Sequence, residues 1–305
     1  MIDANSTTEN FTRRALWAQI DLDAAAHNMR VIRKHVGPDV RIAAVVKANA
    51  YGHGAVELAR VFAENGADCF AVSSLDEGVE LRRYAGITKD IFILGHTDGR
   101  RTEELLAYHI EPAVFNLKNA EYYSEEASRL GQTLQVHIAI DTGMSRVGFL
   151  PSEETIEAIK KIASLPRIEI RGIFTHFATA DEKDKTFTHE QFKRFMWVCT
   201  RLDNEGVHIP IRHCCNSAAT LEMPEYHLDM VRPGIIQYGC APSPDVSLEG
   251  FDFRPVMSLR CCAAHIKLID KGATVSYGRH FTCDQRRKIA VLPAGYADGY
   301  MRILS

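Results

Sequence analysis

The sequence has no apolar run approaching the roughly 20 residues that a membrane-spanning helix needs, so nothing in it calls for a membrane. None of its eight cysteines is in a CxxC pair. Four form the vicinal doublets Cys214–Cys215 and Cys261–Cys262, and Cys69 and Cys199 lie inside apolar runs. That usage excludes a disulfide scaffold and a cysteine metal site, and it points to a reduced, cytoplasmic protein without a metal. An excess of charge of one sign is also missing. The net charge is −3 with an isoelectric point near 6.5, which leaves no basic stripe for nucleic acid and no polybasic patch for a membrane surface. The N-terminal stretch "MIDANSTTENFTRR" is polar and lacks a signal-peptide core. What the 305 residues do have is hydrophobic content, 46%. That suffices for one large domain, or one large and one smaller.

Short apolar runs alternate with amphipathic segments. The runs are "RIAAVV", "CFAVS", "IFILG", "EPAVF", "LQVHIAI", "IEIRGIFTHF", "IRHCC" and "LDMVRPG". Helical patterns such as "GAVELARVFAENG" and "SEETIEAIKKIASL" lie between them. In the first of these, Ala55, Leu58, Ala59 and Phe62 recur at i, i+3, i+4, i+7 and predict one apolar face. Gly66, Gly86, Gly131 and Gly206 stand where helices should end. Eight strand candidates, most followed by a helix, predict an α/β fold: a closed (β/α)8 TIM barrel, preceded by an extra pair of "WAQIDL" plus a helix. From about Arg254 the pattern changes to strand-like runs with no helix between them, the start of an all-β C-terminal domain. The expected division is 1–240 for the barrel and 241–305 for the β domain. Its few strands would leave open edges at Ser305, so the expectation is a C-terminally truncated chain.

In a barrel, chemistry sits at the C-terminal ends of the strands, and several residues fall there. Lys47 ends the first run, in "VVKANAYGHGA". It can snorkel to solvent, or, desolvated and with a lowered pKa, serve as a Schiff-base amine. Arg146 sits between Gly143 and Gly148 in "DTGMSRVGF", suited to a carboxylate or to a surface ion pair. His176, between Phe174 and Phe177, is a packed core residue or a ring that stacks on an aromatic cofactor. Asn216 and Ser217 open a small-residue helix; Ser217 is a plausible N-cap, and the same geometry suits a phosphate. Gly234 and Ile235 begin a short helix after Pro233, where barrels often bind phosphate, with Arg232 deeper in the mouth. Tyr277, in "VSYGRHF", is an ordinary strand tyrosine or a phenolic acid–base group. Taken in order, these residues make the kit of a pyridoxal phosphate barrel.

The sequence resembles the bacterial alanine racemase family. "VVKANAYGHG", "IDTGM.RVGF", "GIFTHFATAD", "NSAA", "VRPGI..YG", "VSYGR" and "LPAGYADGY" occur in family order and cover nearly the whole chain. The resemblance implies a barrel plus a β domain in a head-to-tail homodimer with shared active sites. It also implies pyridoxal 5'-phosphate as cofactor, alanine as substrate, and D-alanine made for peptidoglycan. Lys47 would hold the cofactor and act as the base on one face of the substrate; Tyr277 of the partner subunit would act on the other. Tyr51, Ser217, Gly234 and Ile235 would hold the phosphate, with Asn216 close by. His176 would stack on the pyridine, and Arg146 would sit by the cofactor's phenolic oxygen and the substrate carboxylate. Arg232 would face the pyridine nitrogen, and His213 would link Arg232 to Tyr277 of the partner subunit. One departure concerns "VHIAIDTGM": Ala139 stands where the family often has a lysine, so a bound anion such as chloride is expected beside Arg146. The other departure is that the family's β domain continues past the last residue. Competing readings are a serine or broad-specificity racemase, a pyridoxal phosphate carrier, and a fragment that binds cofactor but is catalytically impaired.

Overall fold

The structure is a computed structural model that describes residues 15–301 and 303. The polar stretch read above for a signal core, 1–14, lies outside these residues. The strands in chain order are β1 (Leu16–Ile20), β2 (Arg41–Val45), β3 (Cys69–Val72), β4 (Asp90–Ile93), β5 (Ile110–Glu111), β6 (Ala113–Val114), β7 (Leu134–Ala139), β8 (Ile168–Phe174), β9 (Ile211–His213), β10 (Met230–Val231), β11 (Met257–Cys261), β12 (His265–Ile269), β13 (Thr274–Val275), β14 (Phe281–Thr282) and β15 (Arg287–Val291).

The apolar runs become buried parallel strands. β10, β2, β3, β4 and β5 form one ladder, and β6, β7, β8 and β9 form another. β5 and β6 are a single stave interrupted at Pro112, which has no N–H to give to a ladder; its carbonyl instead accepts from the His137 N–H at 3.0 Å. Between β9 and β10 the ring is closed by separate bonds. The Arg212 N–H donates to the Asp229 carboxylate (2.8 Å), and the Arg232 N–H donates to the Cys215 carbonyl (3.0 Å). The eight expected runs are therefore the eight staves of a (β/α)8 barrel. Ala43, Val45, Ala71, Phe92, Ile211 and Met230 pack in its interior.

The helices form on the faces that their periodicity predicts. Ala55–Asn65 buries Ala55, Leu58, Ala59 and Phe62. Leu22–Val36 starts at Asp21, whose carboxylate accepts from the Ala24 N–H at 2.9 Å. Asn116 and Ser152 cap Leu117–Arg129 and Glu153–Ser164 in the same way. Gly66, Gly86, Gly131 and Gly206 all carry positive φ and end their helices as expected.

Two compact units result: Asp21–Val256, which is the barrel, and a unit that joins residues 15–20 to the described residues from Met257 onward. In the second unit β1 pairs antiparallel with β11, so the strand that precedes the barrel in sequence shares its ladder with the later segment. β12 pairs with β15 and β13 with β14, all antiparallel, as runs without intervening helices should. Tyr277 is not in a strand. It opens a short turn, Tyr277–Arg279, between β13 and β14, after Ser276 at φ 63°.

Candidate active site

The end of β2 is held from three sides. The Val45 N–H donates to the Pro233 carbonyl (3.1 Å), while the Val45 carbonyl accepts from Gln237 Nε2 (2.6 Å) and the Tyr238 hydroxyl (2.8 Å). The chain then does something that L-residues resist. Ala48, Asn49, Ala50 and Tyr51 have φ of 51°, 53°, 53° and 55°, a continuous left-handed turn. Each such residue costs roughly 1–2 kcal/mol, so the turn persists only because its surroundings hold it. Glu77 Oε1 accepts from the Ala48 N–H (2.7 Å) and Asn49 Oδ1 from the Ala55 N–H (2.8 Å). The Gly52 and Gly54 N–H groups close on carbonyls of the turn at 3.0 Å. One tight spiral thereby turns Lys47 and Tyr51 into the same cavity.

That cavity, about 440 Å³, lies at the strand ends. Eight of the residues singled out in the sequence line it: Lys47, Tyr51, His176, Asn216, Ser217, Arg232, Gly234 and Ile235. A second lobe of about 210 Å³ shares Lys47, Leu94, Met144 and His176 with it and adds Arg146. Tyr277 belongs to the other unit, where its side chain is 87% exposed.

The small residues are where the structure refines the expectations. Ser217 is not the N-cap of its helix, Ser217–Glu222. Asn216 is, its side chain accepting from the Ala219 N–H at 3.1 Å. The Ser217 hydroxyl is thus free to turn inward, where it accepts from the Gly234 N–H at 2.8 Å. A Cβ on Gly234 would stand 2.8 Å from the Tyr51 hydroxyl and 3.8 Å from Ser217 Oγ. Tyr51, Ser217 and Gly234 therefore line one small cradle that any side chain at 234 would fill. We expect Gly234→Ala to fold, because the atom it crowds is the far end of a flexible side chain. It should weaken binding of an anion-bearing cofactor about tenfold or more by pushing the Tyr51 hydroxyl aside; fluorescence titration with pyridoxal 5'-phosphate checks this.

Arg232 is buried and committed at both ends of its fork. Nη1 donates to His213 Nδ1 (2.9 Å). Nη2 donates to the Thr175 carbonyl (2.7 Å), the Cys214 carbonyl (3.1 Å) and His176 Nδ1 (3.3 Å). Its guanidinium also lies over the Phe174 ring at 5.6 Å. Nε has no protein partner among the described hydrogen bonds, so its N–H, like the second N–H of Nη1, is open to a ligand. Burial lowers the pKa of Arg232 to about 10, opposed by the thiols of Cys214 and Cys215 and reinforced by Arg146; the group remains a cation at neutral pH. An imidazole has two ring nitrogens, and both of His213's are used inside the barrel: Nδ1 with Arg232, Nε2 with His137 at 3.1 Å. The expected bond from His213 to a tyrosine of a second subunit thus finds no free nitrogen.

Charge in the pocket is positive. Burial pushes the Lys47 amine below its ordinary pKa, Arg146 adds to the shift, Glu77 opposes it and Arg232 reinforces it. Burial, then Arg232, Arg146 and Lys47, hold His176 as a neutral ring, its pKa down to about 3. Burial raises the Tyr51 phenol and keeps its proton on. Arg146 rides on a loop shaped by Asp141, whose carboxylate accepts from the N–H groups of Gly143 (3.0 Å) and Ser145 (2.9 Å). Gly148 closes that loop at φ 130°, where a Cβ would collide with the backbone of Asp141. Ala139 is buried against Ala113 and Phe174, and no ion pair to Arg146 exists among the described residues.

Glu77 and Asp141 were not singled out in the sequence. Glu77 carried a weak signal, lying three residues after Ser74 in the helix-start pattern of a capping box. Its side chain reaches one residue further, to the Ser73 N–H and hydroxyl (2.7 and 2.8 Å), as well as to Ala48. Asp141 stands at the head of "DTGMSRVGF", where an Asx turn is common.

A barrel that carries a lysine-bearing pocket at its strand ends, followed by an antiparallel β unit, has the architecture of a two-domain racemase. Residues 20–242 match the family model described as alanine racemase, N-terminal domain, and residues 256–305 match the alanine racemase C-terminal domain. An alanine racemase of Clostridium tetani is 50% identical over 291 residues, which is 95% of this chain and 75% of that protein. One of Clostridium perfringens is 49% identical, over 96% of this chain and 75% of that protein. The solved structure of alanine racemase from Clostridium difficile 630 superposes with a TM-score of 0.87 at 41% identity, over 96% of this chain and 76% of that one. The chain belongs to the alanine racemase family, and it spans about three quarters of the length of these relatives.

Proposed function

We propose that the chain interconverts L- and D-alanine with pyridoxal 5'-phosphate seated in the Lys47 cavity. Lys47 and a tyrosine, Tyr277 of the partner subunit, serve as bases on opposite faces of the substrate. The observation that carries this reading is the single cavity that gathers Lys47, Tyr51, His176, Ser217, Arg232 and Gly234. The residues fit the cofactor. The cradle at Gly234 accepts a phosphate beside the Tyr51 and Ser217 hydroxyls, with the Asn216 and Ile235 segments flanking it. The unpartnered Nε of Arg232 would offer a donor to the ring nitrogen, and neutral His176 would present a flat ring. Bound there, pyridoxal 5'-phosphate would supply the electron sink that acidifies the substrate's Cα–H.

The chain's own groups do the rest. Lys47 Nζ, whose lowered pKa favours the free amine, takes or returns the Cα proton. Arg146, in the adjoining lobe, holds the substrate carboxylate. Arg232 would offer the bound ring a hydrogen bond but no proton, because its pKa of about 10 leaves it a poor acid, and so would limit how strongly the ring withdraws charge, favouring a quick return of the proton over side reactions. The exposed Tyr277, with Ile266, Leu268, Tyr296 and Met301 also exposed on its unit, supports pairing with a second copy of the chain. Eight free cysteines support a reducing, cytoplasmic setting, and the product class supports a role in supplying D-alanine for peptidoglycan.

The test has two parts. Pyridoxal 5'-phosphate reduced onto the protein with borohydride should label Lys47, identified by peptide mapping. L-alanine should lose its optical activity faster than L-serine. A label on another lysine overturns the site; serine racemised as fast as alanine overturns the substrate.

The lowered pKa of Lys47 carries its own pH dependence. In the unfolded chain the amine keeps its proton up to its ordinary value of 10.5, whereas in the folded chain it loses it earlier. The unfolded state thus binds more protons between the two values, so the stability of the cofactor-free protein rises as pH climbs through that window. The midpoint of the rate of cofactor capture should lie below pH 10.5. Arg146→Met should move that midpoint up and Glu77→Gln should move it down, read from stopped-flow capture rates against pH.

A further inference from the structure

The interior of a (β/α)8 barrel is ordinarily filled by Val, Ile and Leu. Here a polar row crosses it. Glu111 on β5, His137 on β7 and His213 on β9 lead to Arg232, and all four are buried, at 7%, 2%, 0% and 3% exposure. The links are continuous: His137 Nε2 to Glu111 Oε2 at 2.7 Å, His137 Nδ1 to His213 Nε2 at 3.1 Å, and Arg232 Nη1 to His213 Nδ1 at 2.9 Å. Aromatic rings wall it off from water. Phe92 stacks on His137 (4.8 Å, 15°) and Phe174 on His213 (5.1 Å, 24°). Gly172 leaves the space that the His137 ring occupies; a Cβ there would overlap it.

The chemistry of the two ends dictates where the protons lie. A guanidinium can only donate and a carboxylate can only accept. Arg232 donates to His213 Nδ1, so His213 carries its proton on Nε2. That proton points at His137 Nδ1, which must accept it, so His137 carries its proton on Nε2 and gives it to Glu111. A doubly protonated His137 would donate from Nδ1 and force the His213 proton onto Nδ1, donor against donor with Arg232. Only one order satisfies every link, and both ends demand it.

We propose that Glu111 is a positioning residue for Arg232: acting through His137 and His213, it fixes the proton order that keeps Arg232 Nη1 turned into the barrel and leaves Nε for the ligand. The inference rests on the reading of Arg232 as the group that faces the bound ring. It also explains how a buried cation is tolerated among apolar walls. A carboxylate at the far end of two neutral rings supplies the opposite charge without touching the pocket.

Histidine-selective ¹⁵N labelling of the cofactor-free protein tests this directly, because long-range ¹H–¹⁵N spectra distinguish the two neutral tautomers. The unmodified protein should show His137 and His213 both protonated on Nε2. A proton on Nδ1 of either ring overturns the proposal, and that measurement requires no variant to fold. Glu111→Leu removes the acceptor. It should spread His137 over both tautomers and lower kcat about tenfold, with KM little changed. Glu111→Gln keeps an acceptor oxygen and should restore the order and most of kcat. A Glu111→Leu protein with unchanged tautomers and unchanged kcat overturns the proposal. Failure of borohydride to label Lys47 would sink the functional reading and leave the proton order standing, so the two are separable.

Discussion

Lys47→Ala abolishes borohydride trapping of pyridoxal 5'-phosphate and lowers racemisation by about a thousandfold or more. The side chain is asked to do two things at once, to hold the cofactor covalently and to move a proton at Cα, and general base catalysis alone is typically worth 10²–10⁴-fold. No second amine lines the cavity: among its lining residues the only other cation is Arg232, a guanidinium whose Nη1 and Nη2 donate to imidazoles and carbonyls. Lys47→Arg should fare no better, because a guanidinium is neither a useful nucleophile nor a base near neutral pH. The measurement is mass mapping of the reduced protein together with the rate of loss of optical activity. Residual trapping elsewhere, with activity within tenfold of the unmodified chain, would remove Lys47 from both roles.

Arg232→Ala is expected to cost stability as well as activity. The substitution strands the Thr175 and Cys214 carbonyls and His213 Nδ1 without their donor in a fully buried site. Breaking a buried charged network of this kind typically costs about 3–5 kcal/mol, and at about 2–4 °C per kcal/mol for a unit of this size the melting temperature should fall by roughly 6–20 °C. Arg232→Lys should lose less, since an ammonium still neutralises the row, but one nitrogen cannot serve His213, two carbonyls and a ligand together. Calorimetry of the cofactor-free proteins checks both. A melting temperature within about 2 °C of the unmodified protein for Arg232→Ala would mean that the row is held without its cation.

Much of the fold was readable because it rests on local rules. All eight staves lie in short apolar runs, and the Ala55–Asn65 face is a 3.6-residue period with nothing to contradict it. Arg146, His176, Ser217 and Gly234 could be found because strand-end loops rich in glycine and small residues have few reasons to carry such groups. What was not readable depends on partners distant in sequence. That Asn216 rather than Ser217 caps its helix follows from the Ser217 hydroxyl being drawn to Gly234, 17 residues on. The role of Glu111 is set by an imidazole 26 residues away, and alone in "HIEPAVF" it looks like a solvated strand-end charge. The family lysine absent at Ala139 was visible in the sequence, and the structure fills its place with packed methyl and phenyl groups.

The spiral after β2 has a consequence for what substitutions it will bear. Ala48, Asn49, Ala50 and Tyr51 hold the mirror image of ordinary helical geometry, the shape that D-residues would adopt without strain. Mutational tolerance there is inverted relative to the right-handed helices around it. Glycine, which costs about 1 kcal/mol in a helix interior, is the mild replacement at Ala48 and Ala50, because it removes the Cβ that makes this hand unfavourable. Valine or isoleucine, harmless in a neighbouring strand, would be the severe one. Random change should therefore sort this segment by side-chain branching rather than by polarity, with Asn49 kept because asparagine tolerates the left-handed region and its amide oxygen anchors the next helix at Ala55.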